Sequence, residues 1–306
     1  MSPCLTGWCN MVALVCVVVG CRGNDRGIAD STRALPPVYP AGPAGNTNWN
    51  SDAGPVMIVS AGGGSDTVAV VLPDATDSTI ESLQNIAPPV SGLRFDLFGR
   101  GGKVASSVPV SPISQTDTTQ ECYSWPMASL QSTRGNWQVG FVSGHVQPIH
   151  VDSIEGLPSP DSAALAVSLA QTAATLRAAT DPTFRGLPFR VRSAYRFRLD
   201  TVDVVIADVV RVVNEEANPR VEHLLIFGER PHGVSGKFDV SYYSRTAGAE
   251  ESTQVTEILS VVRISATKRP AVVVNIEYDD GGKLGLVERT APGEWRATWR
   301  SAYTDC

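Results

Sequence analysis

VVNEEANPRVEHLLIFGE, residues 212–229, is the stretch on which the fold turns. Asn214, Glu216, Asn218 and Glu222 set oxygen-bearing side chains at the spacing of a cation-binding loop, and an apolar strand over 224–227 follows. Calcium wants about six to eight oxygens, several of them from carboxylates. Glu216 and Glu222 are the charged candidates here, since alternation turns Glu215 away. Pro219 stands where such loops turn through positive φ on a glycine, and it holds φ near about −65°. The stretch therefore predicts a rigid turn whose Asn and Glu side chains hydrogen-bond the backbone. No cofactor is expected, and Ca²⁺ is the one ion this outline would suit.

The surrounding chain repeats itself. Val209-Val210-Arg211-Val212 is echoed by Val261-Val262-Arg263-Ile264, and Arg245-Thr246-Ala247-Gly248 by Arg289-Thr290-Ala291-Pro292-Gly293. Between these marks each copy has a loop with proline (Pro219, Pro270), an apolar strand and a second strand. The unit is about fifty residues of successive antiparallel strands, a period found in propeller blades. Asn214-x-Glu216-x-Asn218-Pro219-x-x-Glu222, followed by LLIF, resembles the D-x-D-x-D-G-x-x-D loop of FG-GAP and VCBS-like β-propeller repeats, over residues 202–302. The resemblance implies blade-like sheets and, where the ligands are kept, calcium. In the second copy Ser265-Ala266-Thr267-Lys268-Arg269-Pro270 has cations in place of acids, so no site is expected there.

Upstream, PVMIVSA and TVAVVLP, LRFDLFGRGGKVASSVPV, and WQVGFVSGHVQPIHV read as three hairpins within 55–151. SPDSAALAVSLAQTAATLRAAT, 159–180, reads as a helix, with Ser159 and Asp161 as cap candidates. Leu165, Leu169, Ala173 and Leu176 give it one apolar face, which predicts packing on a sheet. RVRSAYRFRL, 190–199, alternates strictly, which sets Arg190, Arg192, Arg196 and Arg198 on one face. Such a face could bind phosphate or acidic glycans, or pair with carboxylates of neighbouring strands such as Asp203 or Asp208. The fold class expected is mainly β, with antiparallel sheets in partial propeller-like or sandwich units and one packed α-helix. The divisions expected are 55–151, 152–201 and 202–306.

The first residues read as an export signal. MVALVCVVVG, 11–20, is too short for a spanning helix, which needs roughly 20 apolar residues. It suits the apolar core of a signal peptide over 1–20. Val18-Val19-Gly20-Cys21 resembles the lipobox of bacterial lipoproteins, which implies cleavage before Cys21 and lipid on that residue. Residues 1–10 contain no Lys or Arg, which leaves either an atypical leader or a start elsewhere. Residues 21–54 are rich in Gly, Pro, Asn and Ser and read as a flexible tether. The location implied is the bacterial envelope. Arg22 follows the lipid cysteine in place of the Asp associated with inner-membrane retention, which points to the outer membrane. Of the 6 cysteines, Cys4, Cys9 and Cys16 fall in the removed segment and Cys21 carries lipid, leaving Cys122 and Cys306. In an oxidising compartment these two pair, and closing so long a loop is worth on the order of 5 kcal/mol.

A net charge of −6 argues against nucleic acid as a partner. The 4 histidines, His145, His150, His223 and His232, form no H-E-x-x-H, and C-x-x-C, P-loop and G-x-S-x-G motifs are absent from the sequence. Two classes of function stay open. One is non-enzymatic binding or assembly with another envelope protein or a glycan, which an exposed patch with Trp295 or Trp299 would favour. The other is an envelope hydrolase of glycan or peptide, which a cleft gathering His145, His150 and Asp152 or Glu155 would favour. Non-reducing peptide mapping should link Cys122 to Cys306; ready alkylation of both thiols in oxidised protein would contradict the pairing.

Overall fold

The computed structural model describes residues 55–60, 66–73, 90, 92–113, 125–131, 135–154, 157, 159–176, 182–214, 218–278 and 281–305. Cys21, Cys122, Cys306, Glu155 and Glu216 lie outside the described residues, as do the leader and the tether. The fold is mainly β. Three antiparallel sheets carry the described residues together with one helix.

The outer sheet has seven strands: β1 (Met57–Ser60), β2 (Thr67–Val70), β3 (Phe95–Gly99), β4 (Gly102–Ser107), β5 (Pro109–Ile113), β6 (Met127–Leu130) and β7 (Val139–Val142), in the order β4-β3-β7-β1-β2-β6-β5. The expected hairpins β1–β2 and β3–β4 are present. The third is not. The chain does reverse after Val142, but β8 (Val146–Pro148) leaves for another sheet. Both edges of β7 are already filled, by β1 and by β3, so no backbone groups remain there for a hairpin partner.

β9 (Asp152–Ser153) and α1 (Ser159–Thr175) precede β10 (Arg190–Arg198), β11 (Val202–Val213), β12 (Arg220–Pro231) and β13 (Asp239–Ala249). The last four form a meander, and β9 pairs with its first strand. A second meander follows in β14 (Val255–Ile264), β15 (Pro270–Tyr278), β16 (Gly281–Ala291) and β17 (Glu294–Arg300). Its first strand takes β8 at the edge, and β18 (Thr304–Asp305) pairs with β16. The repeat marks fall in similar places, since Val209–Val212 stops one residue short of the end of β11 and Val261–Ile264 ends β14. The expected boundary at 201/202 falls inside the β10–β11 hairpin, where Leu199 N–H donates to Val202 O at 2.9 Å.

The sheets stack face to face, as sandwich units. The middle sheet, β14–β17, meets the outer sheet on one face and the helix-side sheet, β10–β13, on the other. Residues of β15 show how. Ala271 and Val273 pack towards the outer sheet, Val272 and Val274 towards the helix-side sheet, and all are buried. Continuous apolar runs are what a strand covered on both faces requires. β12 obeys the same rule: Leu225 and Phe227 face the middle sheet, while Leu224 and Ile226 face α1. The helix lays its expected stripe on that side, with Leu169 and Ala173 buried and Leu165 and Leu176 beside them. Trp295, considered above for a surface patch, is 2% exposed and packs edge-on against Phe197 and Phe227.

Arg100, in the β3–β4 turn, ties the layers together. Its Nε donates to Ile258 O at 2.8 Å, its Nη2 pairs with Glu257, and its guanidinium lies 5.8 Å from the Tyr195 ring centroid. Leu286, 1% exposed in β16, faces the outer sheet. Leu286→Ala should lower stability by about 2–5 kcal/mol in urea unfolding, and a change below about 1 kcal/mol would contradict burial of both faces.

Candidate functional site

Strand β12 carries two buried carboxylates on opposite faces. Glu229 shares the side of Phe227, and Glu222 the side of Leu224 and Ile226. Each is met by an arginine from one of the repeated tetrads: Arg289 reaches Glu229, and Arg245 reaches Glu222.

Glu229 is satisfied within the core. Arg289 Nε donates to Oε1 and Nη2 to Oε2, both at 2.7 Å; Trp295 Nε1 donates to Oε1 at 2.6 Å; Gly293 N–H donates to Oε2 at 3.1 Å. Burial alone would push this carboxyl up. The hydrogen bonds from Arg289 and Trp295 and the arginine's charge outweigh that, so it sits below its ordinary range, while Arg289 is raised by the same bond. The pair is neutral and fastens β12 to β16 and β17, one sheet to the next.

Glu222 is held differently. It is 0% exposed, and two guanidinium groups share it: Arg211 Nε donates to Oε2, and Arg245 Nη1 donates to Oε1 at 3.0 Å. Arg211 itself is 8% exposed, its guanidinium carbon 4.7 Å from the Phe189 ring centroid and 5.6 Å from that of Phe184. Two positive charges against one negative leave this cluster with a net positive charge. Arg211 and Arg245 line a cleft of about 540 Å³. Its walls are Ala170, Ala174 and Leu176 at the end of the helix, and Leu187 and Phe189 in the segment before β10, with Arg185 at the same place. The Pro182–Phe184 3₁₀ turn positions that segment by burying Phe184 against the sheet.

Of the opening stretch's oxygen-bearing residues, Glu222 is drawn into the sheet. Asn214 follows β11 and Asn218 precedes β12, while Glu222 lies within the strand with an arginine on each oxygen. Pro219 O accepts from Glu250 N–H at 2.9 Å, which binds the turn to the end of β13. In the second copy, the turn closes on Lys268 at φ 58°.

The arginines of β10 do not share a face. A bulge between Val191 and Ser193 interrupts the alternation, so Val191 and Ala194 both pack on the helix side. Arg192 is sent to the middle-sheet side, where its Nη1 donates to the buried Asp208 at 3.0 Å; His223 Nδ1 lies 3.2 Å from the same carboxylate. Arg196 and Arg198 leave on the helix side, 3.9 Å from Asp152 and 3.5 Å from Asp203. Arg190 is exposed.

The histidines are dispersed. His150 Nε2 is 3.3 Å from Asp152 in a cleft of about 320 Å³ that Arg196, Arg198 and Asp203 also line, and His232 Nδ1 is 3.0 Å from Asp203. The latter carboxyl is lowered; burial would raise it, and the His232 hydrogen bond and charge, with Arg198 and Arg230, prevail. His145 lines a separate cleft with Trp299. Among the described residues no three His, Cys, Asp or Glu side chains converge as metal ligands, and no helix is long and apolar enough to cross a membrane.

No family model matches the sequence, and comparison with curated proteins and with solved structures likewise gives no match.

The arginine cleft was not foreseen in the sequence, although both arginines stand in the repeated marks. Glu229→Gln should lower stability at neutral pH by about 3 kcal/mol, because it leaves Arg289 buried and uncompensated. Glu229 is depressed in the fold, so its contribution is full above its ordinary value of 4.5 and fades as pH falls through the lower folded value. Urea titrations across pH 3–6 should show a shallower acid-side loss in the variant; equal slopes would contradict the role of the pair.

Proposed function

We propose that this protein is a binding module of the bacterial envelope, carried on a lipid at Cys21, that takes its ligand in the cleft between α1 and the helix-side sheet. The observation that carries the reading is the chemistry of that lining: apolar walls with Arg185, Arg211 and Arg245. Guanidinium groups stay protonated at any physiological pH, so they hold charge and donate hydrogen bonds without exchanging protons. A site built from them is suited to holding a ligand more than to turning it over. The lipobox-like Val18–Cys21 and the Gly/Pro-rich 22–54 support a body held off a membrane surface. A tether of that length spans roughly 30 Å as a flexible coil.

A second reading, hydrolysis of envelope glycan or peptide, has one observation in its favour. His150, Asp152 and Asp203 stand in one cleft, with a His–carboxylate contact of 3.3 Å. The side chains of His150 and Asp152 are 76% and 50% exposed, and a general base set in open water gains little from its neighbours.

Mass spectrometry of membrane-extracted protein should find a chain beginning at a lipidated Cys21, and Cys21→Ser should release the protein into the soluble fraction. An unmodified chain in the membrane fraction would overturn the anchor. Cleavage of peptidoglycan or casein by purified protein, abolished by Asp152→Asn, would favour the hydrolase.

A further inference from the structure

We infer that the cleft beside α1 selects a small amphiphilic organic acid, its acid group set on Arg211 and Arg245 and its apolar body laid along the helix. The inference rests on the binding reading above and adds the ligand's chemistry to it. The comparison between the two carboxylates of β12 is what points there. Glu229 has one guanidinium and two further donors, a closed and neutral arrangement. Glu222 has two guanidiniums, one of them 8% exposed, and a cleft of about 540 Å³ opens where they stand. Burying a positive charge without a counter-ion is costly, and an anion seated at the arginines would neutralise it.

Geometry and size agree with that. An arginine presents a planar fork that matches a carboxylate, and the Phe189 ring against Arg211 restricts the fork's orientation. Ala170 and Ala174 are small, which leaves room above the helix, and Leu187 adds to the apolar lining. The volume lies within the roughly 300–1,000 Å³ of small-molecule sites, and the mix of apolar wall and convergent polar groups is theirs as well. The Arg211–Glu222–Arg245 cluster keeps a residual positive charge and Arg185 adds another to the lining, so the cleft favours an anion.

The full-length protein is titrated with two fluorescent probes that differ by one sulfonate, 1-anilinonaphthalene-8-sulfonate and the neutral N-phenyl-1-naphthylamine. The sulfonate should bind about tenfold or more tightly than the neutral probe, the scale of one charge-assisted hydrogen bond. Arg245→Gln should erase that difference, and Glu222→Gln, which removes the internal competitor, should widen it. Decanoate should displace the anionic probe, and decanol should not. Ala174→Trp fills the cleft from an exposed helix position and leaves every charge in place, so it should abolish binding of both probes with an unchanged circular-dichroism melt. This variant keeps the test decisive even where an arginine substitution disturbs the fold. Equal affinity for both probes, with both lost in Ala174→Trp, would overturn the choice of an anion and keep the cleft as a binding site. Probe binding indifferent to Ala174→Trp would overturn the site and the binding reading together.

Discussion

A sheet covered on both faces has no side on which a lone charge can stand. The middle sheet, between outer and helix-side sheets, imposes that condition on the centre of the molecule. Its central strand meets it with a continuous apolar run over 271–274, so that Ala271 and Val273 serve one interface while Val272 and Val274 serve the other. Where a charge does enter, on β12 at Glu229, it arrives with a two-point arginine, an indole N–H and a backbone N–H. That carboxylate is at once a problem of burial and the bond that aligns two meanders.

The repeated Arg-Thr-Ala tetrads acquire a common purpose from this arrangement. Arg245 ends on Glu222 and Arg289 on Glu229, the two carboxylates of one strand seen from its two sides. The consequences diverge because the sides differ. Towards the middle sheet the site is sealed by Phe197, Phe227 and Trp295. Towards the helix a second arginine joins, and the packing of α1 leaves a cleft. One device repeated in the sequence thus yields a structural clasp in one place and an arginine-lined cleft in the other.

Much of the architecture was legible in the residues. The stripe of Leu165, Leu169, Ala173 and Leu176 could serve a helix against a sheet and little else, and it does so. The runs AVVV and LLIF could be identified as strands from β-branched and aliphatic composition, and the two copies of the repeat as matching strands. Less was legible where a single residue changes the phase of a strand. The bulge at Val191–Ser193 splits an arginine row that alternation alone assigns to one face, and nothing local in RVRSAYRFRL announces it. Likewise, WQVGFVSGHVQPIHV carries the turn of a hairpin, yet its strands go to separate sheets because β7 has no free edge.

The sequence by itself determined the class of fold, the order of its elements and the periodicity that buries each one, because these depend on contacts a few residues apart. It also set the stretch at 212–229 as a turn before an apolar strand. Only the tertiary structure decided what Glu222 is for. Read along the chain, it is the last oxygen of a thinned calcium loop; folded, its carboxylate is wholly buried with an arginine on each oxygen, one from the preceding strand and one from the next. Charge balance at a buried site is a sum over strands distant in sequence, and no spacing within one segment contains that sum.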